Sequence, residues 1–181
     1  MISVSMFKRQ NIWREQMEHF LEKQQEFFFN FLTDSIENFL LDHSDETFYA
    51  FALNCNIHEE GEINLCFNTV ELWQETTSYY TNKGHSKSQL EEIKYNSNDW
   101  DETQQFASLH LFDDWVEDEQ DIETVLEWLC QQLILFTDSE TFNRIPKTED
   151  FKLLVYDHNE NPSDSQERFE KFGMSEIFQI E

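Results

Sequence analysis

Glycine and proline are nearly absent: three and two among 181 residues. That scarcity argues against a loop-rich or low-complexity chain. It also excludes the glycine-rich loops that cradle phosphates, because neither GxGxxG nor GxxxxGK can be assembled from so few glycines. Positive charge is the second shortage, with 12 Lys and Arg against 38 Asp and Glu and a formal net charge of −26. Such a surface repels nucleic-acid phosphates and anionic membranes and attracts basic surfaces at long range. Cysteine is the third. Cys55, Cys66 and Cys130 contain no CxxC pair and leave an odd thiol, which fits a reducing cytoplasm better than a disulfide framework. No apolar stretch is long enough to span a bilayer, and the first ten residues show no secretory h-region. The expected location is cytoplasmic.

Aromatics, by contrast, are abundant: 18 Phe, five Trp and five Tyr. Each can bury a large apolar area, so this chain escapes the disorder that a low-hydrophobicity acidic sequence implies. The length suits one domain with its own core, so residues 1–181 are read as a single acidic domain.

Periodicity places the elements. From Lys8 to Asp42 the apolar positions Trp13, Met17, Phe20, Phe27, Phe28, Phe31, Leu32, Ile36, Phe39 and Leu40 recur at helical spacing. Asp34 with Glu37 matches a capping box that would split this helix. Thr47–Cys55 reads as a central strand, with Tyr49, Phe51, Leu53 and Cys55 on one face and Phe48, Ala50 and Ala52 on the other. Glu59-Glu60-Gly61 suits a hairpin turn into a second strand through Ile63, Leu65 and Phe67. That hairpin would bring Cys55 near Cys66. Asn68 is the expected cap of the next helix, whose inner face is Leu72, Trp73, Thr76, Tyr79 and Tyr80. Thr81–Ser97 reads as a polar, mobile connection. Helical segments are expected beyond Trp100, with Phe106, Leu109, Phe112, Trp115 and Val116 inward. A helix over 121–136, a strand over 151–156, a loop over 158–165 and a short helix over 166–172 complete the chain. The fold class is α+β: a long N-terminal helix and several further helices around a small, mostly antiparallel sheet.

This order of segments resembles a bacterial family of single-domain proteins catalogued as a domain of unknown function. The segments that carry it are the long helix ending in His43-Ser44-Asp45-Glu46, the TFYAFAL strand, Asn68-Thr69, and Tyr95 with Asn98-Asp99-Trp100. Families of this kind often sit beside secreted or contact-dependent toxins, as immunity-type proteins do. The resemblance brings no catalytic residues.

Nor do local motifs. There is no GxSxG, and His58-Glu59-Glu60 lacks the second histidine of HExxH. Asp157, Asn159 and Asn161 match the start of a calcium loop, but Pro162 stands where the turn needs glycine and Arg168 where the bidentate glutamate belongs. No metal and no cofactor is expected. The densest charge is Asp113, Asp114, Glu117, Asp118, Glu119, Asp121 and Glu123, seven carboxylates within eleven residues. Two readings stand for this run: a docking patch for a basic partner, or a solvated junction whose acids favour a helix N-terminus. The whole-chain imbalance speaks for the first, since a junction explains one run and not −26. Glu59 and Glu60 on the hairpin turn are secondary candidates. The expected function is non-enzymatic: an acidic immunity or antitoxin-type protein that occludes a basic toxin or nuclease domain. The alternatives are a nucleic-acid mimic that blocks a DNA-binding protein, and a small hydrolase with an unrecognised carboxylate site.

Overall fold

The computed structural model describes the backbone of residues 4–112, 116 and 118–174, and the side chains of these except 4–11 and 102. Helix α1 (Val4–Asp42) runs unbroken. It buries Met17, Leu21, Phe28, Leu32 and Ile36 along one stripe, the spacing of a single helical face. Asp34 and Glu37 do not split it. Glu37 is drawn instead into tertiary contacts, accepting from Thr141 Oγ1 at 2.8 Å and pairing with Arg144.

Strands β1 (Phe48–Asn56), β2 (Glu62–Thr69), β3 (Gln105–His110) and β4 (Lys147–Asp157) form an open mixed sheet in the order β3-β2-β1-β4. β1 pairs antiparallel with β2 and parallel with β4, and β2 pairs antiparallel with β3. Helices α5 (Glu119–Phe136), α6 (Glu140–Arg144) and α7 (Pro162–Lys171) join α1 around the larger core. The smaller core is covered by Trp73 of α3 (Val70–Asn82) and by Tyr95 and Trp100, which follow α4 (Lys87–Lys94) and flank a 3-10 turn at Ser97–Asp99. A four-residue turn, α2 (Ile57–Glu60), links β1 to β2 and ends on Gly61 at φ 59°, a left-handed cap that favours glycine. No helix among the described residues is long and apolar enough to cross a membrane.

β1 is covered on both faces, as its two apolar faces require. The first two positions are exchanged, however: Phe48 joins Phe51, Leu53 and Cys55 in the larger core, and Tyr49 joins Ala50 and Ala52 in the smaller. A bulge between Phe48 and Ala50 shifts the register and turns both side chains over. The cysteines are corrected too. Cys55 faces Ile63 across the ladder while Ala52 faces Cys66, so the two thiols belong to opposite cores.

The segment after Trp100 is the largest departure, a strand where helix was expected. Phe106, Ala107 and Leu109 all pack on the larger core, because a register irregularity between Leu65 and Cys66 puts neighbouring residues on one side. Their three-residue spacing imitates a helix. Trp115 lies outside the described residues. Thr81–Ser97 also gains a helix, α4, which begins with a full capping box between Ser86 and Gln89. At α3 the cap is Thr69, whose Oγ1 accepts from Leu72 N–H at 3.1 Å, while Asn68 stays paired in the ladder. No α3 side chain is fully buried, and Tyr79 is exposed. α7 starts at Pro162, earlier than expected, because proline suits the first helical position. In the triplet after Glu26 only Phe28 is buried; Phe27 is exposed.

The smaller core contains a cation. Lys152 on β4 is 4 % exposed, and its Nζ has no hydrogen-bond partner; it lies 5.3 Å from the Tyr95 ring centroid. Burial, followed by the nearby Lys94, pushes its ammonium below the ordinary lysine value. The folded state thus disfavours the charged form, and the unfolded chain holds more protons as pH approaches 10.5. Stability therefore rises with pH through that window. Lys152→Met is expected to add about 1 kcal/mol at neutral pH and to remove this alkaline rise. Urea unfolding at neutral and alkaline pH checks both.

Candidate functional site

β1 and β4 run parallel, and their carboxyl ends, at Asn56 and Asp157, open side by side because Cys55 pairs with Asp157. The ends of parallel strands are where an α/β layer leaves a crevice between the following loops. Here the loops are α2, which follows β1, and residues 158–161, which lead from β4 into α7. A cleft of about 420 Å³ opens between these loops and the start of α5, lined by His58, Glu119, Ile122, Glu123, Asp157, Asn159 and Glu160.

On the far side of the same loop lies a groove of about 840 Å³. Its lining includes Glu91, Glu92 and Tyr95 from α4 and its end, Asp99 from the 3-10 turn, and Asn161, Pro162 and Ser163 from the start of α7. Asn98 ties the two sides together: it accepts from Asn54 Nδ2 at 3.1 Å, and its own Nδ2 donates to the His158 carbonyl at 3.5 Å. Seven carboxylates line the two cavities, and neither lining contains a Lys or Arg.

The cleft is built rather than merely crowded. Asp157 is buried and accepts from Ile57 N–H at 2.9 Å, which locks α2 to the end of β4. His158 Nδ1 lies 3.0 Å from the same carboxylate. Arg168, 4 % exposed, reaches from α7 beneath the cleft. Its Nε and Nη2 donate to Glu123 Oε2 at 2.9 and 2.7 Å, and its Nη1 donates to Glu160 Oε2 at 2.9 Å. Burial alone would push the Glu123 carboxyl up, but hydrogen bonds from Arg168 and Lys171 outweigh it and hold it below the ordinary glutamate value. Glu160 also accepts from Asp157 N–H at 2.9 Å. Arg168 is thus a buried counter-charge that fixes two cleft carboxylates without showing a cation to solvent.

The expected site residues divide accordingly. Asp113, Asp114 and Glu117 lie outside the described residues. Asp118 caps α5, accepting from Gln120 N–H and Asp121 N–H, both at 3.0 Å, which is the junction role weighed for this run. Asp121 is buried, so it offers no docking surface. Glu119 and Glu123 line the cleft beside His58, and Glu59 and Glu60 stand exposed on the same α2 turn. Glu119 and Glu123 of the run and the hairpin turn, remote in sequence, therefore meet at one pole. Glu160, Arg168 and the groove carboxylates Glu91, Glu92 and Asp99 were not anticipated. By sequence, Arg168 stands out only as the residue that spoils a calcium loop.

Other chemistry is poorly served among the described residues. No cluster of three or more His, Cys, Asp or Glu is arranged to hold a metal ion. All three cysteines are free and buried, and burial raises each thiol, Cys66 to about 12. Burial likewise raises the Tyr156 phenol to about 12. None of these four offers a nucleophile or base at neutral pH.

A family described as a domain of unknown function, DUF4303, matches residues 28–172. The chain belongs to that family. No curated protein and no solved structure matches it.

Proposed function

We propose that this DUF4303 protein is a non-enzymatic acidic binding protein of the immunity or antitoxin type, which occludes a basic toxin or nuclease domain with its acidic pole. One observation carries the reading: two adjoining clefts hold seven carboxylates between them with no Lys or Arg in either lining. Field lines from like charges in low-dielectric clefts focus outward, which favours capture of a cationic surface and repels nucleic acid. The three free thiols suit a cytoplasmic site of action.

The pole's charge should act on association, whereas the lifetime of the complex depends on contacts at its centre. Removing four charges together, with Glu59→Gln, Glu60→Gln, Asp118→Asn and Glu119→Gln, is expected to slow association about tenfold or more at low salt. Asparagine retains the cap of α5, so the fold survives the change. The partner is recovered from native host lysate at low salt and eluted by salt steps. It is then assayed for a toxic or nucleolytic activity that the purified acidic chain blocks. Stopped-flow association against ionic strength follows. Equal on-rates for the native and neutralised proteins, or a partner that is not basic, end the proposal.

A further inference from the structure

The two edges of the sheet are treated in opposite ways. At the β4 edge, α7 satisfies the outer backbone: Ser165 Oγ accepts from Val155 N–H at 2.8 Å, and Arg168 Nη1 donates to the Val155 carbonyl at 3.4 Å. β4 also carries Lys147, Glu149 and Asp150 toward its start. Charge and cover are the usual means of keeping an edge strand from pairing.

Among the described residues, β3, at the other edge, has neither. Its six residues include no Asp, Glu, Lys or Arg, and the run free of these residues extends from Thr103 to Phe112 in a chain of net charge −26. Among the described residues, nothing hydrogen-bonds the backbone of Phe106–Leu109 on the side turned from β2. Ser108 is exposed, and Phe106 fixes the strand by stacking on Phe67 at 5.3 Å. Among the described residues the edge is therefore uncharged and open. Carboxylates flank it at both ends. Asp101 precedes it and is exposed, while Glu62 stands opposite His110 at its end, next to Glu60 of the acidic pole.

We propose that the β3 edge receives an extended segment of a basic protein, which adds a fifth strand through backbone hydrogen bonds. The segment has an uncharged alternating middle and Lys or Arg at its ends. Charge complementarity selects this occupant. A second copy of the chain would lay like-charged flanks side by side. Strand addition supplies affinity from the backbone and leaves specificity to the flanks. The inference rests on the proposal above that the partner is basic, and adds where and how it is held.

The probe is a synthetic peptide of about ten residues, alternating Thr and Val between Lys-Lys ends, titrated into the isotope-labelled full chain at low salt. Two further peptides carry N-methyl groups on every second residue, one in each phase. A paired strand needs the N–H groups of one phase only. The parent peptide is expected to shift the amides of Gln105–His110 and to slow their hydrogen exchange about tenfold or more. One methylated phase should bind like the parent and the other about tenfold more weakly or worse. Equal binding by both phases, with shifts at the acidic pole and none on β3, overturns strand addition and leaves the basic-partner reading standing. No binding by any Lys-ended peptide overturns strand addition and counts against that reading too. Protection of β3 that grows with protein concentration, without peptide, assigns the edge to a second copy and overturns the proposal.

Discussion

Phe67→Ala is expected to destabilise the fold by about 4 kcal/mol, at the upper end for a single core truncation. Phe67 has no exposed surface, and its ring stands at the junction of four elements. Centroid distances are 4.6 Å to Phe48, 4.8 Å to Phe51, 5.3 Å to Phe106 and 5.5 Å to Phe39. It therefore holds β2 to β1, to β3 and to α1 at once. Truncation removes a large buried area and leaves a cavity walled by paired strands, which cannot move inward without breaking ladder hydrogen bonds. Domains of this kind have roughly 5–15 kcal/mol of stability in all. The variant should therefore unfold at a much lower urea midpoint with an unchanged slope. Phe67→Leu keeps most of the volume and is expected to cost about 1.5 kcal/mol. A loss from alanine no larger than that from leucine would show that the site collapses freely and that these rings do not brace one another.

The larger core is also where the sequence was most readable. Apolar residues at helical spacing on α1 and α5, Phe27 excepted, and at alternate positions on β2, become the buried faces they suggest, because burial of one face is what such a period records. Legibility fails where a distant partner decides the outcome. β3 forms because Ile63 and Leu65 of β2 await Leu109 and Ala107, and its bulge disguises the period of two as a period of three. Phe48 and Tyr49 exchange cores through another bulge, which no local pattern announces. The acidic pole shows the same division. Glu59, Glu60, Glu119 and Glu123 are recognisable as charge, but their meeting depends on the parallel pairing of β1 with β4. The most consequential residue of the cleft, Arg168, lies far along the chain from the run it serves.

Arg168→Met should cost about 3 kcal/mol at neutral pH. Breaking a buried ion pair usually costs about 3–5 kcal/mol, because the surviving charge is stranded. The lower figure applies because the Glu123 and Glu160 side chains are 37 % and 25 % exposed and water recovers part of their solvation. The loss should also depend on pH, and its sign is fixed. Glu123 is held below its ordinary value of 4.5 in the folded protein. Its ion pair therefore contributes fully above that value and fades as pH falls through the folded-state value. The gap between the native protein and the Arg168→Met variant should accordingly be widest at neutral pH and narrow in acid, as the stranded Glu123 carboxylate takes up its proton. Urea unfolding of both proteins at about pH 7 and about pH 4 measures it. A gap of equal size at both would mean that Arg168 acts through its packed stem and not its charge. Arg168→Lys separates the remaining roles. It keeps the cation but not the planar fork that spans Glu123 and Glu160, so it should recover only part of the stability. If the pole binds as proposed, both variants should also weaken partner capture beyond the stability loss. Two carboxylates that Arg168 now fixes on the cleft wall would have to be ordered by the partner instead.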